Sequence, residues 1–208
     1  TISSAREEAQ IAKNRIHAGK DPAKEKKRSE RQLVGSAVEL FIERHVNRNN
    51  RPTTARETIR KMNRYVLPAW DARPIVSIDR RDVAELIQTI ADGGAPVMAD
   101  RVLATVSKFF NWALVQPEYI DVLKANPVVR NLSPTRPHKR DRTLSIGEVT
   151  RVWSATGDIG FPFGPFTRLL LLTGQRRNEV ATLRWSDLDP GSGVWHLPAV
   201  SAKTGRAH

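Results

Sequence analysis

The side chains in this sequence best equipped for chemistry are its cations. Lysine and arginine number 34 against 22 aspartates and glutamates, a formal net charge of +12. A charge of that size calls for a polyanionic partner, because each neutralised phosphate releases condensed counterions. Nucleic acid is therefore the expected partner. Metal chemistry finds little support. A metal-dependent nuclease needs carboxylates converging on one site, and Asp187 and Asp189 are the only close pair in the last third of the chain. The histidines (His17, His45, His138, His196 and His208) show no ligand spacing, and the absence of cysteine excludes disulfides and thiolate sites. No metal and no cofactor are expected. No apolar run approaches the roughly 20 residues of a spanning helix; the longest is Leu169 to Leu172. No membrane partner is expected, and a cysteine-free chain of this kind fits the reducing cytoplasm, here at the nucleoid.

The elements that position these cations are mainly helical. Residues 3–18 read as a helix, with Ser4 as cap and Ala9, Ala12 and Ile16 on one stripe, ended by Gly19 and Asp21-Pro22. A charged stretch follows to Arg31. A helix over about 33–48 carries Val34, Val38, Phe41 and His45 on one face, where His45 is expected as a satisfied bundle residue. The next opens on the capping box Thr54-Ala55-Arg56-Glu57 and runs to Pro68; a third starts at Asp79 and closes at Gly93-Gly94; a fourth spans about Pro96 to Val115. Short connections between such helices imply an antiparallel bundle.

Residues 126–142 change character. Pro127, Pro134 and Pro137 break helices, and Arg130, Arg136, Lys139, Arg140 and Arg142 face a single acid, Asp141. This reads as a basic linker. Beyond it the box Ser145-Ile146-Gly147-Glu148 opens a helix, another covers about 164–172, and a third carries Val180 and Leu183. The run Pro190-Gly191-Ser192-Gly193 is a turn, Val194 to Pro198 a short strand, and Lys203-Thr204-Gly205 a hairpin tip. The division is 1–32, 33–125, 126–142 and 143–208.

The most specific stretch is Leu169 to Asp189: an apolar helix, then Thr173-Gly174-Gln175-Arg176-Arg177-Asn178-Glu179, then Leu183-Arg184-Trp185-Ser186-Asp187-Leu188-Asp189. It resembles the first catalytic box of the phage-type tyrosine recombinases, or integrases. Residues 3–27, with Ala-Gly-Lys-Asp-Pro at 18–22, are similar to the tail of an arm-type DNA-binding region. Residues 33–125 are similar to the helical core-binding domain, and the segment ending in Lys203 to the hairpin that carries the family's catalytic lysine. The resemblance implies a mainly α chain: a helical core-binding bundle plus the start of an α+β catalytic domain, the two wrapping DNA as a C-shaped clamp.

By that resemblance Arg176 is the first catalytic arginine, a fork able to bind two phosphate oxygens. Glu179 would orient it, and Lys203 would protonate the departing 5′-oxygen. Leu183 and Trp185 are expected in the core. The implied activity is site-specific DNA recombination, integrating or excising a prophage or genomic island through a 3′-phosphotyrosyl intermediate. The implied partners are double-stranded attachment-site DNA and further copies of the protein. Arg60 and Lys61 on the second bundle helix, Lys108 on the fourth, and Arg140 and Arg142 in the linker are the candidate DNA contacts, with Arg56 and Arg64 beside them. Phosphate contacts of that kind carry little sequence information.

The family's His-x-x-Arg box and its nucleophilic tyrosine do not occur after Arg176; the tyrosines, Tyr65 and Tyr119, precede it. The chain starts Thr1-Ile2-Ser3-Ser4 and stops at His208, and it reads as an inactive internal piece of a longer enzyme. The rival reading is a non-catalytic DNA-binding regulator with a recombinase-like helical domain, which accounts for the charge and the bundle but not for the box around Arg176.

Overall fold

The computed structural model describes residues 4, 6, 7, 9, 10, 13, 32–129, 132–135, 141–203 and 205–207. They fall into two compact units, Thr1–His138 and Lys139–His208. Of the helix expected over 3–18, the described residues are helical and the rest lie outside the description, as does all of 19–31.

In the first unit, Val34–Phe41, a π turn Ile42–Val46 and Asn47–Asn49 form one continuous helix, α1. Helix α2 is built the same way, from Pro52–Lys61 through a π turn at Met62–Val66 to Leu67–Trp70. A 3₁₀ turn, Ile75–Ser77, leads into α3 (Arg80–Asp92) and α4 (Pro96–Ala113). Their apolar stripes meet in one core. Phe41 contacts Phe109 edge-on at 5.6 Å and Trp112 at 5.3 Å, and Tyr119 closes the cluster at 0% exposure. Burying one such aromatic stabilises by about 1.5–3 kcal/mol.

Two details of the first unit depart from the sequence reading. The π turn in α1 inserts one residue into the apolar register, so the stripe passes from Phe41 to Val46, which is fully buried. His45 is displaced to the edge, stacked on Phe41 at 5.4 Å, and its Nε2 is buried without a hydrogen-bond partner. Helix α2 does not open on the Thr54 box. Pro52, whose fixed φ suits the first helical position, starts it three residues sooner, so Thr54 lies within the first turn and no side chain caps the helix. Helix α3 starts at the expected Asp79 and there forms a capping box: Asp79 Oδ1 accepts from the amides of Arg81 and Asp82, and Asp82 returns a bond to the Asp79 amide at 2.9 Å. Arg73 grips both oxygens of Asp82, at 2.6 and 2.9 Å. The segment read as a linker begins docked on the bundle. Asn126 donates to Asn111 at 2.7 Å, and Ser133 and Thr135 both donate to Asp100.

The second unit contains α5 (Ile146–Ile159), α6 (Phe163–Thr173) and α7 (Arg177–Ala181). A 3₁₀ turn Trp185–Asp187 and the antiparallel pair β1 (Leu188–Asp189) and β2 (Val194–Trp195) follow. Ser145 and Glu148 form the box expected at the start of α5. Gly174, at φ 63°, ends α6 in the left-handed conformation that glycine takes without penalty. Trp185 corrects the sequence reading: it is 88% exposed. Asp187 caps the amide of Arg184 and winds the chain into a tight turn that leaves the indole at the rim of an apolar groove with Phe161, Pro165 and Leu188. Lys203 lies on a turn from Pro198 to Ala202 and Gly205, and no strand pairing involves it among the described residues.

Candidate functional site

Cations of the first unit collect where α2 packs on α4. Arg60 and Lys61 come from the last turns of Pro52–Lys61, and Arg101 and Lys108 lie two helical turns apart on α4. The Lys61 amine is pushed below its usual range, first by burial and then by the positive charges of Arg101, Arg60 and Lys108, which Glu57 opposes. A lysine held among like charges is a strong acceptor site for an anion, since a phosphate relieves the crowding. Glu57 is already bound to Arg60 at 2.9 Å. Lys108 also faces His45, whose imidazole is held below its ordinary pKa by burial and then by that charge. Arg60, Lys61 and Lys108 thus share one face. Arg101 belongs with them and was missed by sequence reasoning, although its spacing of seven from Lys108 places the two on one side of a helix.

Of the linker cations, Arg140 lies outside the described residues. Arg142 is exposed and ion-paired with Glu148 at the start of α5.

The second unit brings Arg176, Glu179 and the Lys203 backbone together. Arg176 is the residue that precedes α7, and Glu179 is its third. Glu179 Oε2 accepts from the Arg176 amide at 3.0 Å, and Oε1 accepts from Arg176 Nη1 at 3.1 Å. Oε1 also accepts from the backbone N–H of Lys203 at 3.1 Å. The Glu179 carboxyl is held below the usual range by the Lys203 amide first, then by the backbone and side chain of Arg176, against a burial that works the other way. Glu179 is 1% exposed, whereas the Arg176 side chain is 53% exposed. The carboxylate is internal and the guanidinium keeps a face toward solvent. Among the described residues no group of histidines and acids could hold a metal ion, and no helix is long and apolar enough to cross a membrane.

A family model described as phage integrase central domain matches residues 35–123. Prophage integrase IntF of Escherichia coli K12 is 29% identical over 99 residues, covering 45% of this chain and 21% of the relative. Prophage integrase IntE of the same strain is 28% identical over 137 residues, 63% of this chain and 33% of the relative. The integrase of Escherichia phage HK022 is 23% identical over 133 residues, 64% and 35% of the two chains. The chain therefore spans about a third of the length of the last two relatives. A lambda integrase(75-356) dimer bound to a COC' core site superposes with a TM-score of 0.67 at 19% identity, over 85% of this chain and 61% of that one. A lambda integrase tetramer bound to a Holliday junction gives 0.69 at 19% identity, over 85% and 49%. A helical unit of this kind, followed by a unit that contains the Arg176 box, has the fold of the lambda integrase structures. Residues 35–123 match the phage integrase central domain, and the chain is similar to prophage integrases.

Proposed function

We propose that this chain is the DNA-gripping part and the first portion of the catalytic domain of a site-specific recombinase. Its substrate is double-stranded DNA at attachment sites, cut and rejoined during integration or excision of a prophage or genomic island. Cleavage proceeds by attack of a tyrosyl oxygen, absent from the described units, on the scissile phosphorus. The bond to the 5′-oxygen breaks, and a 3′-phosphotyrosyl link remains. Arg176 binds non-bridging oxygens as charge grows on them, and Glu179 supports it. Lys203 gives a proton to the 5′-oxygen. Arg60, Lys61, Lys108, Arg140 and Arg142 hold the backbone, and copies of the protein associate on DNA in the cytoplasm.

The observation that carries this reading is the convergence, within one unit, of Arg176 and the Lys203 backbone on the single carboxylate of Glu179. A regulator that had only borrowed the helical unit has no use for that arrangement. The lambda integrase structures bound to a COC' core site and to a Holliday junction support the partner. The test has two arms. The 208-residue chain should bind duplex DNA, with log affinity falling against log salt by about 0.9 per phosphate neutralised; affinity flat with salt removes the DNA partner. In the longer enzyme that this reading requires, Arg176→Ala should lower cleavage of a nicked attachment-site duplex by about 10²–10³ while most binding remains. Covalent complex formation at the normal rate in that variant removes the catalytic role.

A further inference from the structure

We propose that Glu179 is the positioning residue that holds the Lys203 turn in register with Arg176. The inference rests on the reading of Arg176 and Lys203 as the phosphate-handling pair, and it adds the part that fixes their separation.

A carboxylate almost wholly removed from water is stable only where its oxygens are supplied with donors. Glu179 has three: the amide and guanidinium of Arg176 and the amide of Lys203, 24 residues further along the chain. Two of the three are backbone groups, so the carboxylate fixes main chain to main chain, leaves the Lys203 amine unengaged by Glu179 and holds only one nitrogen of the Arg176 guanidinium. The Arg176 guanidinium stays half exposed, and the Lys203 side chain is exposed.

The choice of glutamate carries the argument further. Capping alone does not need its length. At the corresponding position of two other turns in this chain aspartate makes the same reciprocal bond: Asp82 to the Asp79 amide at 2.9 Å, and Asp187 to the Arg184 amide at 3.1 Å. The extra methylene of Glu179 carries Oε1 to a second segment, and the Lys203 amide is what it meets there. Oε1 is shared, serving the guanidinium and the Lys203 amide together. A glutamine cannot reproduce this, because its amide nitrogen would face one of the donors. An aspartate keeps the Arg176 cap and releases Lys203.

Nuclear magnetic resonance on the 208-residue chain tests the joint without DNA. In the wild type the Lys203 amide shift should follow a carboxylate titration whose midpoint lies below the ordinary glutamate range. In Glu179→Asp the same amide should exchange with solvent about tenfold faster or more, the equivalent of one charge-assisted hydrogen bond. A Lys203 amide that shows no shift as the pH is lowered through and below the carboxylate range overturns the proposal, and this measurement needs no variant to fold. In the longer enzyme, Glu179→Asp should cleave an ordinary duplex slowly and recover on one whose leaving 5′-oxygen is replaced by sulfur, since a thiolate departs without a proton. An equal defect on both substrates overturns the link to Lys203. A wild type that cleaves neither substrate defeats the recombinase reading alone, because the amide titration still decides the joint.

Discussion

Arg101 and Lys108 both press their charge on Lys61, and we propose that the three serve together as one anion site. Each should count as about one phosphate. Arg101→Ala should lower the log–log salt slope of DNA binding by about 0.9 and weaken all sequences alike. Titrations of two unrelated duplexes at several salt concentrations check this, and an unchanged slope takes Arg101 out of the interface. Asp82 makes the corresponding point for stability. Its carboxyl lies below the usual aspartate range, first because Arg73 donates to it and then because it caps the Asp79 amide, with burial opposing. A pKa lowered by folding gives stability that is present above the unfolded value and lost as pH falls through the folded one. In Asp82→Asn, the denaturation midpoint in urea should be lower at pH 7 and vary less between pH 5 and pH 2, about the span over which a depressed aspartate titrates.

Among the elements, the helix starts separate into those the sequence announces and those it does not. Asp79 and Ser145 cap where expected because each side chain bonds an amide a few residues ahead, an interaction local enough to be encoded in four residues. Replacing Asp79 by alanine should cost about 1 kcal/mol in urea denaturation; a loss indistinguishable from zero would show that Arg73 and Asp82 hold this corner without it. Helix α2 followed Pro52 instead, because a fixed φ nucleates the first turn regardless of the weaker box behind it. The π turns in α1 and α2 are a different case. Nothing in a hydrophobic stripe read at a fixed period distinguishes Val46 from His45. The choice was made by the core, which the side chain of Val46 fills against α1's neighbours at 0% exposure.

For the whole molecule, the tyrosines decide what this chain can do by itself. Tyr119 is fully buried in the core of the first unit, and Tyr65 is half-buried with the Arg64 guanidinium 5.6 Å from its ring. We propose that neither serves as the nucleophile that a covalent intermediate requires. The 208-residue chain incubated with a nicked attachment-site duplex should give no shifted, protease-sensitive band on a denaturing gel. Such a band would place the nucleophile within these residues and undo the assignment of the missing boxes.

The sequence by itself determined the resemblance to the integrases, the helical class and the identity of Arg176, Glu179 and Lys203 as residues to watch. These are matters of local pattern: a contiguous box, stripes at helical spacing, and charge that composition alone reports. Arg60, Lys61 and Lys108 were legible as cations on helices, but their convergence with Arg101 was not, since it depends on which faces of α2 and α4 meet. Trp185 read as core because its chemistry is apolar, and the turn capped by Asp187 turned it outward. The bond from Lys203 to Glu179 spans 24 residues. Only the tertiary structure could make it, because a carboxylate buried by α7 takes whatever donor the fold brings within reach, and no spacing along the chain specifies which.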